Sequence, residues 1–98
     1  MKRLSDVMAT AIESPEILKA ARAQKVMRRW TEAVGSLLSE RTQPDRYDHG
    51  TVWVASSGSA WAQEIRMRRE DIVSRLNEIA GENLFDDIRV GVRAPRPW

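Results

Sequence analysis

Apolar side chains recur at helical spacing in three parts of this chain and alternate with polar ones in three others. Leu4, Val7, Met8, Ala11 and Ile12 form the first helical set, with Ser5 and Asp6 near its start. Ser14-Pro15-Glu16 then reads as an N-cap followed by proline at the first helical position. The helix it opens carries Met27, Trp30, Val34, Leu37 and Leu38 on one stripe. Leu18 falls off that stripe if the helix is continuous, which predicts a bend near residues 20–24. Gly35 costs about 1 kcal/mol in a helix interior, and close packing against a sheet is the expected compensation. Pro44 disfavours helical geometry in the residue before it, so the helix is expected to end near Arg41.

Residues 44–56 change period. Two short extended runs flank His49-Gly50, and a two-residue loop there pairs Asp48 with Thr51, Tyr47 with Val52 and Arg46 with Trp53. That register places Tyr47, Val52 and Val54 on one face and Arg46 and Trp53 on the other. A third helical set follows in Trp61, Ile65, Ile72, Leu76 and Ile79. Carried on as one helix, it would bring Arg68 close to the apolar stripe. A break near Arg69-Glu70 removes the conflict, and Glu70-Asp71 suit a fresh helix N-terminus. Gly81 and Asn83 supply the stop. Ile88, Val90 and Val92 then alternate with Arg89, Gly91 and Arg93 as a last strand, ahead of a proline-broken tail.

The order helix, helix, strand, strand, broken helix, strand predicts an α+β domain, with helices on one face of a three-stranded sheet. One domain over residues 1–92 and a short basic tail over 93–98 are expected. Trp30, Trp61, Ile65, Ile72 and Leu76 are the expected core anchors, with the Trp61 ring buried as the pin between helix and sheet.

At 98 residues the chain can bury a core without staples, and it has no cysteine, which removes disulfides and thiolate zinc sites. Its apolar runs are far shorter than a membrane span, and early charges rule out a signal-peptide core. A soluble, cytoplasmic protein with no membrane partner is expected. The net charge is +2, yet Lys19, Arg22, Lys25, Arg28 and Arg29 follow one another with no acid among them. Such a run serves equally as a solvated helix face or as a polyanion contact.

Catalytic patterns are missing. His49 is the sole histidine and falls in a turn, the acids are scattered among arginines, and no glycine-rich phosphate loop occurs. A non-enzyme without cofactor, metal or small-molecule substrate is the expectation. What remains is a binding surface: the sheet face away from the helices displays Arg46, Trp53, Arg89 and Arg93. An aromatic among guanidinium groups suits single-stranded nucleic acid, where bases stack and phosphates pair. The same pattern equally suits Trp53 lying under Arg46 as a cation–π pair, or under the tail. The basic run and the tail residues Arg93, Arg96 and Trp98 are further candidate surfaces.

Three stretches together resemble the DciA family of bacterial replication proteins. "VMRRWTEAVGSLLSERTQP" has Trp30 and then Val34-Gly35, and ends on Thr42 and Pro44. "HGTVWVASSGSAWAQEI" has a glycine-led strand, a serine-rich loop and Trp61-Ala62 with Ile65. "IVSRLNEIAGENLFDDIRV" has Ile72, Leu76-Asn77, Gly81 and a closing Ile88-Arg89 strand. The likeness runs from about Leu4 to Val92. It implies a KH-like fold lacking the G-x-x-G backbone clamp. It also implies a partnership with the replicative DnaB-type helicase, help in its loading or activity, affinity for single-stranded DNA, and a place at the nucleoid. Glu70 stands where members often carry proline, and a short form without the long basic C-terminal extension of many members is expected. Two other functions fit the same fold: a KH-like RNA-binding module acting on ribosome or transcripts, and a pure protein adaptor.

Overall fold

The computed structural model describes residues 15–92, so the expected first helix over 4–12, the Ser14 cap and the tail residues Arg93, Arg96 and Trp98 lie outside it. The described chain runs α1 (Pro15–Met27), α2 (Trp30–Val34), α3 (Ser36–Arg41), β1 (Thr42–Asp48), β2 (Thr51–Ser56), α4 (Ser59–Met67), α5 (Arg69–Ala80) and β3 (Asp87–Val92). This is the α+β arrangement read from the sequence. Helices and a three-stranded mixed sheet follow one another in the expected order, ordered β1-β2-β3 across the sheet.

The hairpin has the register that the alternation predicts: Asp48 opposite Thr51, Tyr47 opposite Val52, Arg46 opposite Trp53. Both turn residues have positive φ, 46° at His49 and 90° at Gly50, as a type I′ turn requires. Glycine at position 50 is also a matter of space, because a Cβ there would meet the Asp86 carboxylate. The crossover through α4 and α5 then returns β3 parallel to β2, with Val52 beside Ile88 and Val54 beside Val90.

The helical segments correct the sequence reading in three places. No bend falls at residues 20–24; α1 is continuous, and the chain breaks at Arg28–Arg29. No glycine or proline marks that break, and Met27 before it and Trp30 after it are both buried. Gly35 does not pack against the sheet, since nothing lies within 4 Å of where its Cβ would be. It separates α2 from α3 at φ 89° and ψ 162°, a conformation essentially open to glycine alone. The restart after it carries Leu38 into the core and leaves Leu37 exposed. The break in the last helix does exist and falls at Arg68, whose N–H is shared between the Glu64 and Ile65 carbonyls. It forms without proline at position 70.

Ile65, Ile72 and Leu76 pack with Val52, Val54 and Ile88 in one core that also takes Ala23, Val26, Met27 and Trp30 from the first helices. Ala62 is fully buried, whereas Trp61 is only partly buried, a correction to the pin expected of it. Its ring packs at the edge of the core with the Arg41 guanidinium 5.7 Å from its centroid. Phe85 belongs to none of the periodic apolar sets. Among the described residues it is the largest fully buried side chain, set edge-to-face on Tyr47, in the irregular segment between α5 and β3. Asn77 holds that segment by accepting the Leu84 and Phe85 N–H groups and donating to the Phe85 carbonyl. Gly81, at φ 75°, ends α5 just before it.

Candidate nucleic-acid interface

The pairing registers set three side chains in one row across the outer face of the sheet. Arg46 of β1 is opposite Trp53 of β2, and Trp53 is beside Arg89 of β3. Their strand neighbours Val52, Val54 and Ile88 are buried under the helices, so alternation turns the row the other way. The Arg46 guanidinium carbon lies 4.9 Å from the Trp53 ring centroid and that of Arg89 lies 6.0 Å from it. Both arginines are exposed, while the indole is half-buried between them. The cation–π alternative raised by the sequence is therefore the observed geometry, and it involves two cations rather than one.

The Trp53 indole N–H is buried and has no acceptor. Beside the ring a shallow groove runs over Gly91, walled by Asp45, Arg46, Trp53, Val54, Val90 and Val92. Gly91 faces Ala55 in the parallel register, and open space surrounds the position of its missing side chain. An aromatic wall, a glycine floor and flanking guanidinium groups can accept a flat ring, with anionic groups reaching the arginines. Sequence reading put Gly91 on the outer face but attached no purpose to it; its value depends on what lies opposite.

The basic run of α1 does not join this row. Ala23, Val26 and Met27 bury the inner side of that helix, so its cations project from the helical layer. The run also divides. Arg22, Lys25 and Arg29 border a groove floored by Val26, Ile79, Ala80 and Leu84, whereas Arg28 borders another with Gln24, Met27 and Trp30 that reaches Pro44 and Asp45 of β1. Arg22 is paired with Glu82 at 2.9 Å. Arg29 makes a two-pronged contact with Glu32, and that hydrogen bond raises the arginine's pKa and lowers the carboxylate's. Lys19, Lys25 and Arg28 are exposed. Arg93 lies outside the described residues.

Arg66, Arg68 and Arg69, around the α4–α5 elbow, form a further cationic cluster that periodicity alone did not single out. Its visible signal was arginine density in "RMRRE". Arg66 donates to the Val90 carbonyl, Arg68 pairs with Glu64, and Arg69 lies 3.6 Å from Asp87. Among the described residues no group of three His, Cys, Asp or Glu side chains could hold a metal ion, and no helix is long and apolar enough to cross a membrane.

Residues 3–90 match the protein-family model described as "Dna[CI] antecedent, DciA". The chain is 36% identical over 67 residues to a UPF0232 protein of Streptomyces coelicolor, covering 66% of this chain and 35% of that protein. It is 38% identical over 67 residues to a UPF0232 protein of Streptomyces avermitilis, covering 66% and 37%. A UPF0232 protein of Rhodococcus jostii is 27% identical over 71 residues, covering 71% and 38%. The matched stretch thus spans little more than a third of each relative's length.

Proposed function

Because this chain belongs to the DciA family, we propose that it serves DNA replication as an accessory protein, binding single-stranded DNA and the replicative DnaB-type helicase to assist helicase loading or activity. The family supports the helicase partnership. The observation that carries the DNA contact is the Arg46–Trp53–Arg89 row with its glycine-floored groove. A base entering the groove stacks on Trp53 and displaces a guanidinium from the ring, and the freed cation then reaches a neighbouring phosphate. Nothing in the row reads base edges, so binding is weakly sequence-specific and falls with salt as counterions are released. The α1 cations make a second, independent electrostatic contact.

Fluorescence anisotropy with a labelled oligothymidine, repeated over a range of salt, tests this. Trp53→Ala should weaken binding by about 1–3 kcal/mol, the worth of one stacked base. Gly91→Val should do likewise while the fold survives, because it puts a side chain into the groove and nothing lies within 4 Å of the position its Cβ would take. Changing Arg22, Lys25 and Arg29 to glutamate should reduce the salt slope by roughly 0.7 per lost phosphate contact. Unaltered affinity in both single variants would remove the row from the DNA site. Affinity purification from cells at moderate salt addresses the partner: a helicase hexamer supports the replication reading, and ribosomal subunits would replace it with an RNA-binding one.

A further inference from the structure

The two edges of the sheet are built differently. β1 carries Pro44, which has no N–H to offer, and its pairing with β2 is irregular between Pro44 and Arg46. Proline and a bulge are the usual devices that stop another strand from adding to an edge. β3 has neither. It keeps an unbroken register with β2 from Asp87 to Val92 and, among the described residues, has β2 as its one strand neighbour.

In a parallel ladder alternate residues turn both backbone groups away from the partner strand. On β3 these are Ile88, Val90 and Val92, as two side-chain contacts mark. The Ile88 N–H is taken by the Asp87 carboxylate at 2.8 Å, and the Val90 carbonyl by the Arg66 guanidinium at 3.2 Å. Both are single bonds from exchangeable side chains, and Arg66 is exposed. Asp87 also faces Arg69 and Arg89 at 3.6 and 3.8 Å, so it is drawn in several directions. Among the described residues Arg66, Arg69 and Arg89 border the edge beside Asp87, and Val92 is 54% exposed.

We propose that the β3 edge is a strand-addition site for an extended, acidic segment of a partner protein. The alternating donors and acceptors of the edge match another peptide backbone, whose N–H groups can satisfy the Ile88 and Val90 carbonyls. A phosphodiester backbone has no donor for those carbonyls. A second copy of this chain would bring Arg66 and Arg89 against a like-charged edge, whereas acidic side chains alternating with apolar ones meet both the guanidinium groups and Val92.

The test uses the full chain and a fluorescein-labelled eight-residue peptide of alternating valine and glutamate, followed by anisotropy and by NMR amide exchange. The peptide should bind saturably and slow exchange at the Val90 and Val92 amides, and the valine–lysine counterpart should not bind. Arg66→Glu should weaken binding roughly tenfold, the scale of one partly desolvated charge pair. Val92→Pro removes an edge donor at an exposed strand end and should also weaken it, with circular dichroism verifying that both variants are folded. Peptide binding without protection of these amides would overturn strand addition in favour of plain charge attraction. Equal binding of the lysine peptide, or protection of the same amides by oligothymidine alone, would also overturn it.

Discussion

Trp30, at the start of α2, is 5% exposed and donates its indole N–H to Thr42 at 3.1 Å; the Thr42 hydroxyl in turn donates to the Leu38 carbonyl. Trp53, in the middle of β2, keeps its ring half-exposed between two guanidinium groups, and its indole N–H has no acceptor. The two side chains are identical and their surroundings opposite. At Trp30 the indole N–H and the Thr42 hydroxyl are both spent within the protein, so their energy goes into joining the first helices to β1. At Trp53 the indole N–H has no acceptor, and a half-buried aromatic under two exposed arginines is the part of the molecule able to gain from a ligand. Trp61 stands between the two, partly buried and covered on its outer side by Arg41.

Substitutions that treat the tryptophans alike put this contrast at risk. Trp30→Ala should destabilise the domain by about 3–5 kcal/mol in urea denaturation, the range for losing a core aromatic. Thr42 would also be left without its donor. Trp53→Ala should change stability by less than about 1 kcal/mol in the same assay. Equal losses at the two positions would mean that the outer face is a second core rather than a binding surface. Asn77→Ala should cost about 1–3 kcal/mol, because it releases two backbone donors and an acceptor in the segment that carries Phe85. Trp61→Ala should fall near the lower end of that range, since only part of its ring leaves water on folding. A loss as large as that of Trp30→Ala would return Trp61 to the role of a full core pin.

The smallest effect is a pH dependence at the hairpin tip. His49 has its pKa raised above the usual 6.5, first by its hydrogen bond with Asp48 and then by the charge of Glu16, 3.6 Å away. A histidine whose folded pKa is raised contributes stability that is fully present below pH 6.5 and is lost as pH rises through the folded value. The melting temperature should therefore drift slightly downward above pH 6.5. Asp48→Asn should return the His49 titration, followed by NMR, towards the ordinary value. No drift and no change in titration would mean that the exposed pair is too well screened to matter.

Much of this architecture was legible in the order of residues because its causes are local. His49-Gly50 tolerates the positive φ of a tight turn, and with the turn placed, strict alternation dictates that Arg46 pairs with Trp53. Gly81 ends a helix for the same kind of reason, and the arginine at position 68 betrayed a break because a continuous helix would have driven it against the apolar stripe. Other features depend on contacts between residues far apart in the chain, and local pattern carries no trace of them. The break at Arg28–Arg29 has no helix-breaking residue, so nothing in the local sequence marks it. Leu84 and Phe85 lie outside any periodic run, and only the reach of Asn77 and the ring of Tyr47 make them interior. The parallel register between β2 and β3 follows from the return path of two helices; it alone brings Arg89 to the other side of Trp53 and Gly91 over Ala55. Backbone geometry and alternation are short-range physics, so the sequence by itself determined the order of helices and strands, the hairpin register and the two faces of its strands. Packing and strand order are long-range, so only the tertiary structure decided which faces meet, and with them the site.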